Sequence, residues 1–117
     1  MQKKNGNRSQ RVAAEIKKVL SEFLIRNSLG DKQINTTFLS ITDVVVSSCL
    51  RHAKIYVALP SGKVDLGQEY IDFLKEHASR LRYHVGIHIK LKFVPDLSFY
   101  IDDSFDRAKK IESLLAV

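Results

Sequence analysis

The sequence predicts an α+β domain, with helices packed on one face of a small three-stranded sheet. Three observations predict it: two stretches with apolar residues at helical spacing, three short segments that alternate apolar and polar residues, and a length of 117 residues, which suits one core. In residues 8–26, Val12, Ile16, Val19, Leu20, Phe23 and Leu24 form one stripe, with Arg8, Arg11, Lys17, Lys18 and Arg26 on the other faces. Residues 1–7 read as a flexible basic tail and residues 8–117 as a single domain. Gly30, Asp31 and Asn35 mark a loop over 27–37. Residues 38–46 are rich in Ile, Val and Thr and read as a first strand, with Ser47-Ser48 turning the chain. Over 51–59, Ala53, Ile55, Val57 and Leu59 point one way while His52, Lys54 and Tyr56 point the other, so the two strands should pair antiparallel. Pro60-Ser61-Gly62 stops the second strand.

Residues 65–85 return to helical spacing through Leu66, Tyr70, Phe73, Leu74, His77, Ala78, Leu81 and Val85. The pattern fits one helix, or two joined at Ala78-Ser79, with Gly86 ending it. Ile87, Ile89, Leu91 and Phe93 then alternate with His88, Lys90 and Lys92, which predicts the third strand. Pro95 interrupts it and argues for an edge position or a bulge, and Leu97, Phe99 and Ile101 alternate beyond. Asp102-Asp103-Ser104 offers an N-cap for a last helix over 104–115.

The formal net charge is +6, and it is uneven: residues 1–30 hold seven Lys or Arg against two Glu. A basic end points to a polyanionic partner, or else only keeps the protein dispersed. There is no apolar run long enough for a membrane helix and no apolar stretch of a signal peptide near the N-terminus. The lone Cys49 rules out an internal disulfide and a multi-cysteine zinc site. Together these predict a cytoplasmic protein that uses neither membrane nor cofactor.

Nothing in the chain spells out catalysis. No phosphate-binding glycine loop, nucleophile elbow or H-E-x-x-H occurs. His77 falls in the apolar stripe and reads as a core or boundary residue; His52 and His88 read as members of a polar strand face. Asp102, Asp103 and Asp106 could bind a divalent cation, but capping of the last helix explains them more simply. The expectation is a binding protein with no small-molecule substrate. Its candidate contacts for RNA are Arg8, Arg11, Lys17, Lys18, Lys54, Arg80, Arg82, Lys90 and Lys92. If strands two and three share a sheet, His52, Lys54, Tyr56, His88, Lys90 and Lys92 make one basic, partly aromatic face, suited to phosphates and stacked bases. Alternation in any one-sided sheet also yields a polar outer face.

Four segments resemble the bacterial ribosome-binding factor A family over about residues 8–115: RSQRVAAEI at 8–16, LSITDVVVS at 39–47, LRHAKIYV at 50–57 and VPDLSFYIDDS at 94–104. The last is the most specific, being similar to the family's V-P-E-L-x-F-x-x-D-x-S. The resemblance implies a type II KH-like fold, ordered helix, strand, strand, helix, kink, helix, strand, plus a C-terminal helix. It implies a non-enzymatic assembly factor that binds the small (30S) ribosomal subunit and its ribosomal RNA and assists late 16S maturation near the 5′ end, with a role in cold adaptation and a monomeric free state. A general KH-like RNA-binding module without ribosome preference is the alternative. Where the family carries Ala-x-Gly at the kink, this chain has Ala78-Ser79-Arg80, and Cys49 stands where an acidic residue often precedes the leucine.

Overall fold

The computed structural model describes residues 3–26, 34–60 and 65–102, with side chains from residue 8 onward. Helix α1 (Lys3–Ile25) leads through a single 3-10 turn (Thr36–Phe38) to strands β1 (Ser40–Val46) and β2 (His52–Ala58). Helices α2 (Gly67–Glu76) and α3 (Ala78–His88) follow, and strand β3 (Asp96–Ile101) completes a sheet of order β1-β2-β3. β2 pairs antiparallel with β1, as the short connection predicts, and parallel with β3, which the two intervening helices make possible. This is the predicted α+β arrangement in the KH-like order. The predicted last helix, with Asp103 and Asp106, lies outside the described residues.

Helix α1 starts upstream of Arg8 because the polar run 3–7 continues the helix without any apolar period to announce it. Its stripe of Val12, Ile16, Leu20 and Leu24 is buried against β1 and α3. From the sheet come Ile41, Val44 and Val46, then Ala53, Ile55 and Val57, then Phe99. From the helix pair come Tyr70, Phe73, Leu74, Leu81 and Val85. Ile16, Ile55, Leu74 and Val57 have essentially no exposed surface, so the core is a layer between helices and sheet. Thr36, buried, donates its hydroxyl to the Leu24 carbonyl at 2.8 Å and so ties the 3-10 turn to α1. Gly67 lets α2 approach β3, since a Cβ there would stand 3.4 Å from the Ile101 side chain.

The helical stretch is two helices that break at His77, one residue before the expected junction. The His77 N–H is shared between the Phe73 and Leu74 carbonyls at 3.2 Å, and its own carbonyl accepts Leu81 N–H at 3.0 Å. The bend therefore costs few backbone bonds. Arg80 sits in the first turn of α3 without a positive φ, so an arginine at the family's glycine position is compatible with the kink.

The third strand is the main correction. Residues 87–93 are not a strand: α3 runs through Gly86 to His88, Ile89 follows as its C-cap, and β3 begins at Asp96. Gly86 does not end the helix. A Cβ there would lie 3.1 Å from Val94 Cγ2, so this glycine provides room for the loop that folds back over α3. Pro95 has no N–H, and the first ladder bond across β2 and β3 is Asp96 N–H to the Arg51 carbonyl, at 2.9 Å. The alternation of apolar residues over 87–93 is not matched by burial: Ile89 is buried and Leu91 half-buried, but Ile87 and Phe93 are exposed.

Candidate nucleic-acid interface

The outer face of the sheet is not the basic surface that alternation suggested. His88, Lys90 and Lys92 lie on the end of α3 and in the loop beyond it, and β3 presents Asp96, Ser98 and Tyr100 instead. Lys54 is exposed at the centre of β2, opposite Val45 on one side and Ser98 on the other. The strand positions diagonal to it hold Asp43 and Asp96, the latter beside Arg82, so no second cation adjoins it in the ladder. Tyr56 and Tyr100 are register partners whose rings stack on each other, with centroids 5.5 Å apart and planes 29° from parallel. A bulge between Ile41 and Asp43 turns Thr42 outward, where its hydroxyl donates to Asp102 Oδ2 at 2.6 Å. Asp102 thus ties the end of β3 to the far strand.

The cations gather at one end of the sheet. There the β1–β2 turn, the start of α1 and the α3–β3 loop meet, and Arg8, Cys49, Leu50, Arg51, Lys92 and Phe93 line a hollow of about 230 Å³ together with Leu91. An adjoining hollow is lined by Arg51, His52, Arg82, Phe93, Val94 and Asp96. Phe93 is 56% exposed, with the Arg51 guanidinium 5.1 Å and the Lys92 ammonium 5.9 Å from its ring centroid.

The turn that carries Arg51 is held tightly. Leu50 has φ 62°, the one positive φ at a non-glycine position among the described residues, a conformation that costs about 1–2 kcal/mol. It persists because its N–H bonds the Ser47 carbonyl, Ser47 N–H bonds the His52 carbonyl (both 2.9 Å), and the Ser47 hydroxyl accepts His52 N–H at 3.2 Å. Leu50 also packs its half-buried side chain on the core. The Ser47 hydroxyl, 3.4 Å from Cys49 Sγ, together with backbone bonding near Arg51, holds the exposed Cys49 thiol below the usual thiol range.

The other expected contacts are scattered. Arg11 and Lys18 are exposed on α1. Lys17 reaches the Thr42 carbonyl at 3.4 Å and lines a shallow groove between α1 and β1 with Gln10, Ala13, Ala14, Asp43 and Val44. Arg80 and Lys90 are exposed on and just after α3. Arg82 is engaged with the loop before β3. Its guanidinium donates to the carbonyls of Val94 (2.8 Å) and Pro95 (3.1 Å) and lies 3.7 Å from the Asp96 carboxylate, which pins the loop before β3. Sequence patterning does not single out Arg51 or Phe93. Both read as strand residues, and only the turn and the displaced loop bring them beside Arg8.

His77 and His84 serve packing. His77 Nδ1 lies 3.0 Å from the Phe73 carbonyl, and its ring lies against that phenyl. His84 packs between Phe23 and His88, with centroids at 4.1 and 4.4 Å. Burial, with His88 and Arg26 nearby, holds His84 below the usual imidazole range. Among the described residues no cluster of His, Cys, Asp and Glu is arranged to hold a metal ion.

The described elements make a KH-like α+β domain whose cations gather at one end of the sheet. The family model of ribosome-binding factor A matches residues 8–115, and the chain belongs to that family. Ribosome-binding factor A of Clostridioides difficile is 38% identical over 109 residues, 93% of this chain and 82% of that protein. That of Clostridium perfringens strain SM101 is 37% identical over 108 residues, 92% of this chain and 91% of that protein. Among solved structures, the fold is similar to the crystal structure of ribosome-binding factor A from Thermus thermophilus, with TM-score 0.65 at 18% identity over 80% of this chain and 94% of that one. A Thermotoga maritima protein described as a putative ribosome binding factor A gives TM-score 0.64 at 25% identity, covering 80% and 85%. A Thermus thermophilus ribosome binding factor A model fitted into the map of a 30S complex gives 0.60 at 19%, covering 78% and 91%.

Proposed function

We propose that this protein is a cytoplasmic assembly factor that binds the small ribosomal subunit and assists late maturation of 16S ribosomal RNA near its 5′ end, with a role in cold adaptation. Family membership over residues 8–115 carries the proposal. The 30S complex in which the Thermus thermophilus relative was fitted supports the choice of subunit. The cations at one end of the sheet supply a reason in this chain's own chemistry.

The action is binding, not bond chemistry. Arg8, Arg11, Lys18, Arg51, Arg80, Lys90 and Lys92 are available to phosphates, whereas Arg82 acts by holding the loop. Lys17 and Lys54 contribute less, the first being drawn toward the Thr42 carbonyl and the second standing apart from the basic end. Contacts of this kind release counterions, so affinity falls steeply with salt. A factor that binds one conformation of an immature subunit better than others shifts the population toward it, and no catalytic residue is needed for that. The free protein acts as a monomer.

Co-sedimentation with purified small subunits across a salt series tests the reading, with large subunits and an unrelated structured RNA as competitors. Selective association with small subunits that fades as salt rises is the expected result. Equal association with all three would reduce the protein to a general KH-like RNA-binding module. No association at low salt would overturn the reading.

A further inference from the structure

We infer that the hollow between the β1–β2 turn and the α3–β3 loop is a subsite for one unpaired RNA nucleotide, its base stacked on Phe93 and its phosphates held by Arg8, Arg51 and Lys92. The inference rests on the RNA-binding reading above and deepens it. Four observations meet here. An apolar ring is left 56% exposed although the core lies close by. Two cations flank that ring at 5.1 and 5.9 Å, so charge and aromatic surface are presented together. The turn before Arg51 is locked by three hydrogen bonds around a left-handed Leu50, so the guanidinium is displayed from a rigid base. The hollow, about 230 Å³, is below the range of metabolite pockets and suits a single planar ring.

The charge selects the occupant. Against Arg8, Arg51, Lys92 and Arg82, the acid among the lining residues is Asp96, and Arg82 already lies beside it. An anionic ligand with a flat face fits these surroundings. A nucleotide has both parts, and aromatic and arginine planes are what unpaired bases stack upon. A base inside a duplex has its faces covered and cannot enter. The site therefore discriminates single strands from helices, which the scattered lysines of α1 cannot do.

Cys49, the sole cysteine of the chain, lines the hollow and is exposed, so its alkylation reports occupancy. Iodoacetamide labelling is followed alone, with single-stranded hexauridylate and with a short RNA duplex, alongside direct binding of both RNAs. Hexauridylate should slow labelling and the duplex should not. Phe93→Ala should lower hexauridylate affinity by about tenfold or more while leaving duplex affinity and the melting temperature in place. Phe93→Tyr should restore the affinity. Unchanged hexauridylate affinity in Phe93→Ala, or equal shielding of Cys49 by the duplex, overturns the inference. So does shielding by whole small subunits but not by hexauridylate, which would mean that a ribosomal protein fills the hollow. Salt-sensitive binding of small subunits is scored separately: if it holds while Phe93 proves silent, the subsite fails and the assembly-factor reading stands. If subunit binding is absent while hexauridylate still depends on Phe93, the reverse is true.

Discussion

The outer face of the sheet and its basic end use the same kinds of side chain to opposite effect. On the face, Tyr56 and Tyr100 stack on each other and Lys54 stands alone opposite Val45 and Ser98. At the end, Phe93 meets Arg51 and Lys92, with Arg8 across the hollow. The difference is topological. A regular ladder spaces its outward residues evenly and places a neighbour on each side, so charges and rings are shared out. A turn and a loop that converge on a helix end have no such spacing, and there like charges accumulate. Convergence, not alternation, makes the surface suited to an anion.

The largest expected effect breaks both regions at once. β2 runs on from Arg51 at the end and carries Lys54 and Tyr56 on the face, and Ile55 anchors it with no exposed surface. Ile55→Ala should cost about 2–5 kcal/mol in urea unfolding and abolish small-subunit binding with it, because the cavity cannot fill. The next substitution separates the regions. Arg8→Glu with Arg51→Glu should reduce small-subunit affinity and lower the log–log salt slope by up to about 0.7–0.9 for each phosphate no longer neutralised. Lys54→Glu should change either quantity much less. Equal effects would mean that the sheet face binds RNA as strongly as the basic end.

The smallest effect concerns stability away from both regions. Because burial lowers the His84 pKa, the unfolded chain takes up this proton more readily than the native one. His84 therefore leaves stability intact above its ordinary value of 6.5 and subtracts from it as pH falls from there toward the lowered native value. Melting temperatures between about pH 7.5 and about pH 5.5 should decline, and His84→Gln should flatten part of that decline. A profile identical to the parent's would remove His84 as its source. Subunit binding measured at the upper end of that range should be the same in this variant, since His84 packs on Phe23 and α3 rather than at the basic end.

Much of the fold was legible. The stripe of Val12, Ile16, Leu20 and Leu24 sets the buried face of α1, and Ala53, Ile55 and Val57 set that of β2, because periods of about 3.6 and about 2 each put those residues on one side. The misreading of residues 87–93 has a physical source. Helix end, loop and strand can all place every second residue inward for a short distance, and Ile89, Leu91 and Phe93 follow a graded burial without any ladder. With β3 at Asp96–Ile101, Lys90 and Lys92 lie off the sheet face and Phe93 is exposed at its end.

By itself, then, the sequence determined the class of domain, the antiparallel pairing of β1 and β2, the basic character of the molecule and, through four motifs in order, its resemblance to the family. These rest on local period and on residue identity, which neighbours along the chain can report. Tertiary structure alone decided that Pro95 delays β3 to Asp96, that Arg82 is consumed by the Val94 and Pro95 carbonyls, and that Arg8, Arg51 and Phe93 share a hollow. Those three residues come from distant parts of the chain. Only the packing of α1 against the sheet, and the return of the chain from α3 to β3, brings them together.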